Sequence, residues 1–373
     1  MIYLDNAASS FPKPRPVIKA VTRALGTLWG NPGRAGHKKA MAAMRMIYET
    51  RVALAGLLGL TDPERIIFTK NATEGLNIAL KGLLKSGDTV AISRLEHNSV
   101  TRPLNTLKQS GVKVVYAPVD EYGLPDPSKI PDVKMLAVTG ASNVTGAILD
   151  TKTIGEACAK KGVLLLVDAA QSAGSIPFDT SRIDILVGTG HKALLGPQGT
   201  GFAWFREGIT PEPFIEGGTG SNSESDMTPP FLPDKFEAGT MNTPGITGLK
   251  AGVEHVRRLT VQGVREKEIS LVTLIMDALS NEPRATVYGP ADPARRGSLI
   301  SFNIAGSDPA QIATAIDRRG VAVRVGLHCA PEGHKFAGTF PQGAVRVSPG
   351  AMTRRKDVET FIRILRRIIK DAK

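Results

Sequence analysis

Lys192 stands in "TGHKALLGPQGTG" (189–201), between Gly190 and the glycines at 196, 199 and 201, with Thr189 and His191 beside it. Glycines that admit close backbone approach around one lysine suit an amine that bonds covalently to a flat cofactor. Asp168 closes the apolar run "VLLLVD" (163–168). A carboxylate there needs a cationic or hydrogen-bonding partner, because burying it alone costs too much; capping the turn that follows is the plainer reading. His97 in "RLEHNS", Asn143 in "GASNVTG" and Thr73 in "KNATEGLN" also follow predicted strands. At Thr73 the free N–H groups of a starting helix and the hydroxyl could hold a phosphate, although an ordinary helix cap would look the same. A pyridoxal phosphate enzyme requires an imine-forming lysine, a carboxylate at the ring nitrogen, a phosphate cradle at a helix N-terminus and a group against the ring face. Lys192, Asp168, the Thr73 turn and His97 supply all four.

The stretch "RVGLHCAPEGH" (324–334) holds Cys329 between His328 and His334. Cys329 is read as a metal ligand, a buried small hydrophobe or a nucleophile. A metal site from these three residues lacks an evident fourth ligand, and residues 328 and 329 of a strand would point to opposite faces. Burial without reactivity suits Cys158 better, inside the helical pattern "TIGEACAKKG".

The elements that must position these groups read as an α/β fold. The chain has 373 residues, 42% of them hydrophobic, enough for a sizeable core in two packed units. Apolar β-rich runs alternate with helical patterns, the signature of a parallel sheet with crossover helices: 65–69, 88–93, 112–118, 133–139, 163–168, 183–188 and 201–206. Ligands of such sheets bind beyond the carboxyl ends of the strands, where the residues above lie. Residues 207–243, rich in Gly, Ser and Pro, read as a long loop of the kind that is usually functional. The remainder reads as helices, strand 298–304, helix, strands "VAVRV" and "GAVRVS" and a closing helix, an αβαββα order. A large domain over 16–250 and a small α+β domain from 1–15 and 251–373 are expected.

Composition excludes several functions. No apolar stretch approaches the roughly 18–20 residues of a membrane span, and the amino terminus has no basic segment followed by an apolar one, so no signal peptide is expected. Two cysteines do not make a disulfide framework, which points to a reducing, cytoplasmic setting. The net charge of +12 comes with arginine pairs scattered among helical patterns and with no nucleic-acid motif, so a solvated basic surface is expected rather than nucleic-acid binding.

From "YLDNAAS" through "NATEGLN", "EHNS", "SNVTG", "VDAAQSAG", "GTGHKALLGPQGTG", "FEAGTMNT" and "RVGLHCA" to "VRVSPG", the chain resembles the class V, fold-type I pyridoxal phosphate enzymes, and among them the cysteine desulfurase and selenocysteine lyase group. The resemblance implies a large, mostly parallel seven-stranded sheet domain with a smaller α+β domain that carries Cys329, and a homodimer. It implies that Lys192 bonds the cofactor, Asp168 meets the ring nitrogen, Gln171 the phenolic oxygen and His97 the ring face. Thr73, Thr189 and His191 would hold the phosphate, with Thr240 reaching a phosphate across the dimer interface. Asn143 would lie near the phenolic oxygen and the substrate carboxylate, Arg346 would bind that carboxylate, and Arg324 would be a second arginine of the site. The implied reaction converts L-cysteine to L-alanine and leaves a persulfide on Cys329 for an acceptor, expected to be a protein, with a nearby cation favouring the thiolate. A selenocysteine lyase, a class V aminotransferase or lyase without a persulfide, and a non-catalytic scaffold are the rival readings. Thr189 replaces a serine frequent in the group, Leu327 replaces a second histidine, and His334 matches no known role.

Overall fold

In the computed structural model, residues 1–27, 30–33 and 36–371 are described. The chain runs β1 (Ile2–Tyr3), α1 (Arg15–Thr27), α2 (Lys38–Leu58), β2 (Ile66–Thr69), α3 (Ala72–Leu83), β3 (Thr89–Ile92), α4 (Asn98–Gln109) and β4 (Lys113–Tyr116). It continues through β5 (Met135–Thr139), α5 (Thr151–Lys161), β6 (Leu164–Asp168), β7 (Ile185–Thr189) and β8 (Gly201–Phe205) into the long loop. Beyond the loop come α6 (Thr243–Leu259), α7 (Val261–Ser280), β9 (Ala285–Tyr288), β10 (Ile300–Ile304) and α8 (Pro309–Asp317). The chain closes with β11 (Val321–Ala322), β12 (Arg324–Gly326), α9 (Pro331–Phe336), β13 (Ala344–Val347) and α10 (Arg355–Asp371).

Among the described residues seven strands form the main sheet, in the order β2-β8-β7-β6-β5-β3-β4. All neighbours are parallel except those of β8, which runs antiparallel to β2 and β7. Each of the seven expected apolar runs matches one of these strands, β7 extending one residue past its run. Residues of β5 and β7 are buried throughout, as expected of central strands covered on both faces. Gly75 lets α3 lie close to the sheet: a Cβ there would stand 2.8 Å from Val187 Cγ1 and 3.3 Å from Ala203 Cβ. That approach packs α3 on β7 and β8, and its first residues share the cleft lining with Asp168 and Thr189 at the ends of β6 and β7. The long loop is tied down by Glu237, which accepts hydrogen bonds from Arg51 Nη2 (2.5 Å) and Phe68 N (2.7 Å).

A second, antiparallel sheet has the order β12-β13-β10-β9. Its core joins Phe302 and Val345 to Leu271 and Ile275 of α7 and to Phe361 and Leu365 of α10. Buried residues of α10 fall at 358, 361, 362, 365, 368 and 369, a single stripe of a 3.6-residue period. β1 pairs in parallel with β11, so the amino terminus joins this unit. Ile246, Leu249 and Val253 of α6 pack in the core beneath the main sheet, whereas α7 packs in the second core; Thr260 lies between the two helices.

The αβαββα reading of the carboxyl-terminal part is corrected in three places. Strand β9 and the short helix α9 were not anticipated, because "ATVY" and "PEGHKF" are too short to show a period. The expected strand "VAVRV" is two strands in different sheets. Residues 328 and 329 are not strand residues: both belong to a turn and have φ of 47° and 58°, so strand alternation does not govern where they point.

Candidate active site

Segments following the central strands meet β12, β13 and the turn after β12 at the carboxyl ends of those strands. They enclose a cleft of about 230 Å³ whose lining includes Lys192, Asp168, His97, Thr73, Cys329 and Arg346. Asn143, Gln171, Thr189, His191 and Arg324 also line it. Of the residues that the resemblance assigns to the site, Thr240 alone lies outside this lining: it is exposed and lines another hollow with Met44 and Tyr48.

Lys192 follows β7 by three residues. Its loop is closed by Gly190 N donating to Thr200 O (2.8 Å), Gly196 N to Gly190 O (2.8 Å) and Leu195 N to Lys192 O (2.9 Å). A Cβ at Gly196 would stand 3.0 Å from Gly190 O and from Leu249 Cδ1, so a side chain there would push against both the loop backbone and α6. Burial lowers the Lys192 pKa to about 8; Asp168 opposes the shift, and Arg346 and Arg324 reinforce it. With a pKa of about 8, about a tenth of the amine is unprotonated at pH 7, far more than for an ordinary lysine.

Asp168 is buried and accepts a hydrogen bond from Ala170 N (2.9 Å). Burial raises its pKa, against the Ala170 bond and the Lys192 charge. A protonated ring nitrogen against its carboxylate would offset that burial. Beneath it lies Glu96, which sequence reasoning passed over although it stands next to His97. Glu96 is 1% exposed and accepts from Ser93 Oγ (2.5 Å) and Thr139 N (3.2 Å). Its other oxygen has no partner, and burial foremost, with the Asp168 charge, pushes its pKa up to about 8.

His97 caps α4. Its Nδ1 accepts from Ser99 N (3.1 Å) and lies 2.8 Å from Ser99 Oγ, which is 2.7 Å from Thr73 Oγ1. An Nδ1 that accepts leaves the proton on Nε2, and burial, with Lys192 and three arginines nearby, lowers the ring pKa to about 4. The imidazole is therefore neutral. His191 is neutral for similar reasons, its pKa lowered to about 4 by burial and then by Lys192 and Lys13; its buried Nδ1 has no protein partner. Asn71 caps α3 by accepting from Glu74 N (3.0 Å). That cap leaves the first helical N–H groups and the exposed Thr73 at the cleft, where the helix dipole favours an anion. The orphaned Nδ1 of His191, the free end of α3 and the half-compensated Asp168 fit a phosphate and a protonated ring nitrogen. The residues present thus suit pyridoxal phosphate.

The second unit contributes cations and a thiol. Arg324 and Arg346 are directly opposed on β12 and β13, where like charges repel. Asp5, another residue missed in the sequence reading, lies between them: Arg346 Nη2 is 3.2 Å from its Oδ1 and Arg324 Nη1 3.8 Å from its Oδ2. Arg346 also donates to Asn143 O (3.0 Å), and its Nε, buried, has no partner. The side chain of Arg346 is 3% exposed and that of Arg324 44%, so the first is enclosed by protein and the second reaches solvent. Cys329 is exposed. Its turn is held by Asn98 N donating to Cys329 O (2.7 Å) and Asn143 Nδ2 donating to His328 O (2.6 Å). His328 and His334 form a buried chain under the turn: His334 Nε2 lies 3.1 Å from His328 Nδ1, and His334 Nδ1 2.7 Å from Thr339 Oγ1. Cys158 is 1% exposed, in the core beneath the main sheet.

A family model for aminotransferase class-V matches residues 2–361. The chain belongs to that family. A probable cysteine desulfurase from Methanothermobacter thermautotrophicus is 35% identical over 88% of this chain and 84% of its own length. One from Pyrococcus abyssi is 31% identical over 99% and 94%. The apo structure of cysteine desulfurase from Thermococcus onnurineus NA1 superposes with a TM-score of 0.92 at 32% identity, covering 99% of this chain and 95% of that one. The S-sulfonic acid form of cysteine desulfurase CsdA from Escherichia coli gives 0.87 at 28% identity over 99% and 94%. This class-V chain therefore shares its whole fold with fold-type I α/β proteins, including the strand ends on which the cleft is built.

Proposed function

We propose that this class-V protein is a pyridoxal phosphate-dependent cysteine desulfurase that converts L-cysteine to L-alanine and takes the sulfur onto Cys329. The observation that carries the reading is the convergence of Lys192, Asp168 and Cys329 on one cleft with two arginines. Its relatives' names point to the same reaction.

Thr73, His191 and Thr189 would hold the phosphate, Gln171 the phenolic oxygen and Asp168 the proton of the ring nitrogen, with His97 against the ring face. Bound pyridoxal phosphate supplies an electron-poor ring that accepts the electron pair released at the substrate α carbon. Arg346 binds the substrate carboxylate through its guanidinium fork, and Asn143 steadies that arginine through its carbonyl. Lys192 Nζ, as the free amine, removes the α proton. The Cys329 thiolate attacks the substrate sulfur; an S–S bond forms as the Cβ–S bond breaks, the electron pair stays with carbon, and protonation there leads to alanine. Sulfur then leaves Cys329 for an acceptor.

A second copy of the chain is expected against α2, where Met41, Met44, Tyr48 and Val52 are exposed at the spacing of one helical face. Met44 and Tyr48 line the same hollow as Thr240, which supports a role for Thr240 in a partner's site. Light scattering tests this: a monomer would remove that role. Among the described residues no helix is long and apolar enough to cross a membrane. Two free thiols support a cytoplasmic setting.

The deciding assay mixes the protein and pyridoxal phosphate with L-cysteine and a thiol reductant and measures sulfide and alanine. Equimolar release of the two is expected. Keto-acid-dependent amino transfer without sulfide would replace this reading by an aminotransferase.

A further inference from the structure

Cys329 lines two hollows. The second has a volume of about 600 Å³ and opens between α4, β4 and the start of α9. Among the described residues Cys329 alone is common to both linings, so this exposed residue stands where the two meet. Helix α4 contributes Asn98, Thr101, Arg102, Asn105 and Lys108, spaced as a single helical face. Arg102 and Lys108 are exposed and neither forms an ion pair with a described residue. They are about 9 Å apart along the helix axis, at ~1.5 Å per residue. Glu332, the acid in this lining, is already engaged: it accepts from Lys335 Nζ (2.7 Å) and Tyr116 Oη (3.3 Å). The hollow is thus concave, of a size suited to a small ligand, and carries two uncompensated cations.

We propose that this hollow binds the sulfur acceptor, and that the acceptor is a small thiol bearing at least two anionic groups. The proposal rests on the desulfurase reading and departs from the protein acceptor that the sequence resemblance implies. The acceptor's carboxylates or phosphates pair with Arg102 and Lys108, and its thiolate reaches the outer sulfur of the Cys329 persulfide. A new S–S bond forms there, the bond from Cys329 Sγ breaks, Cys329 leaves as the thiolate, and the acceptor departs as a persulfide. No external oxidant or reductant is consumed.

The test loads the holoenzyme with L-cysteine, removes excess substrate, establishes by mass that Cys329 carries added sulfur, and follows its discharge at low salt. The probes are mercaptosuccinate, 2-mercaptoethanol and cysteamine, compared at equal thiolate concentration. Mercaptosuccinate is expected to discharge the sulfur about tenfold faster than 2-mercaptoethanol, with cysteamine slowest, and the gap should narrow with salt. Lys108→Glu and Arg102→Gln should each remove most of that advantage while leaving discharge to 2-mercaptoethanol unchanged. Equal rates for the three thiols, an anionic preference that survives both substitutions, or no discharge to any small thiol would each overturn the proposal. Failure of Cys329 to take up sulfur in the loading step would instead overturn the desulfurase reading, and the proposal with it.

Discussion

The amine and the thiol of the cleft are held in opposite ways. Lys192 follows a fully buried strand, in a loop whose glycines let backbone pack on backbone. Cys329 sits exposed in a turn of two consecutive left-handed residues, held by one bond from Asn98 and one from Asn143. The contrast suits the chemistry proposed for each side. Proton removal at carbon needs a base fixed within reach of one atom, whereas a sulfur that must be delivered elsewhere needs an accessible carrier. The same division separates the two arginines: Arg346 is buried and anchored twice, by Asp5 and by Asn143, and Arg324 reaches Asp5 from a half-exposed position.

Several substitutions break or sharpen this comparison. Lys192→Ala should have the largest effect, a loss of about 10⁴-fold or more for removal of both the base and the cofactor link, together with loss of near-visible absorbance from the bound cofactor. Retained colour would show that another lysine bonds it. Cys329→Ser should lower sulfide release by about 10²-fold or more while absorbance and cysteine binding persist, because nothing on the lysine side depends on the thiol. Sulfide made equally well by the variant would end the persulfide route. Arg346→Lys should raise KM for L-cysteine about tenfold, near 1.4 kcal/mol, since an ammonium cannot reproduce the guanidinium fork; an unchanged KM would move the carboxylate site to Arg324.

Glu96→Gln probes the buried side by pH. With its folded pKa raised to about 8 from the ordinary 4.5, Glu96 holds its proton in the folded state over pH values at which the unfolded chain has lost it. Its favourable contribution is complete below the unfolded value and is lost as pH rises through about 8. Denaturant titration should therefore show wild-type stability falling across that range, and the glutamine variant, which mimics the neutral acid, should fall less. Parallel profiles would contradict a protonated Glu96. Cys158→Ala should be smallest, about 1 kcal/mol or slightly more from a small core cavity, with desulfuration unchanged.

Much of the lysine side was legible in the sequence, because strands buried on both faces read as continuous apolar runs and the ligating residues stand where those runs stop. Lys192, Asp168, His97 and Thr73 were each found that way. The cysteine side was less legible. A short helix such as α9 has no period to detect, and the left-handed pair at 328 and 329 carries no glycine to announce it. Asp5 and Glu96 were missed for a different reason: Asp5 acts through Arg346, 341 residues away, and the burial of Glu96 comes from its contact with Thr139 as much as from nearby Ser93; pairing across such distances leaves no local spacing. Their one signal was position within "YLDNAAS" and "EHNS".

The central claim is that Cys329 takes the substrate sulfur while Lys192 performs the proton chemistry. It is tested most directly by intact-protein and peptide mass measurement after one turnover of the holoenzyme with L-cysteine in the absence of any acceptor thiol. The mass of one added sulfur atom is expected on the peptide containing Cys329, none on that containing Cys158, and none on either in Lys192→Ala. Alanine formed with Cys329 unmodified, or the added sulfur found on Cys158, would contradict it.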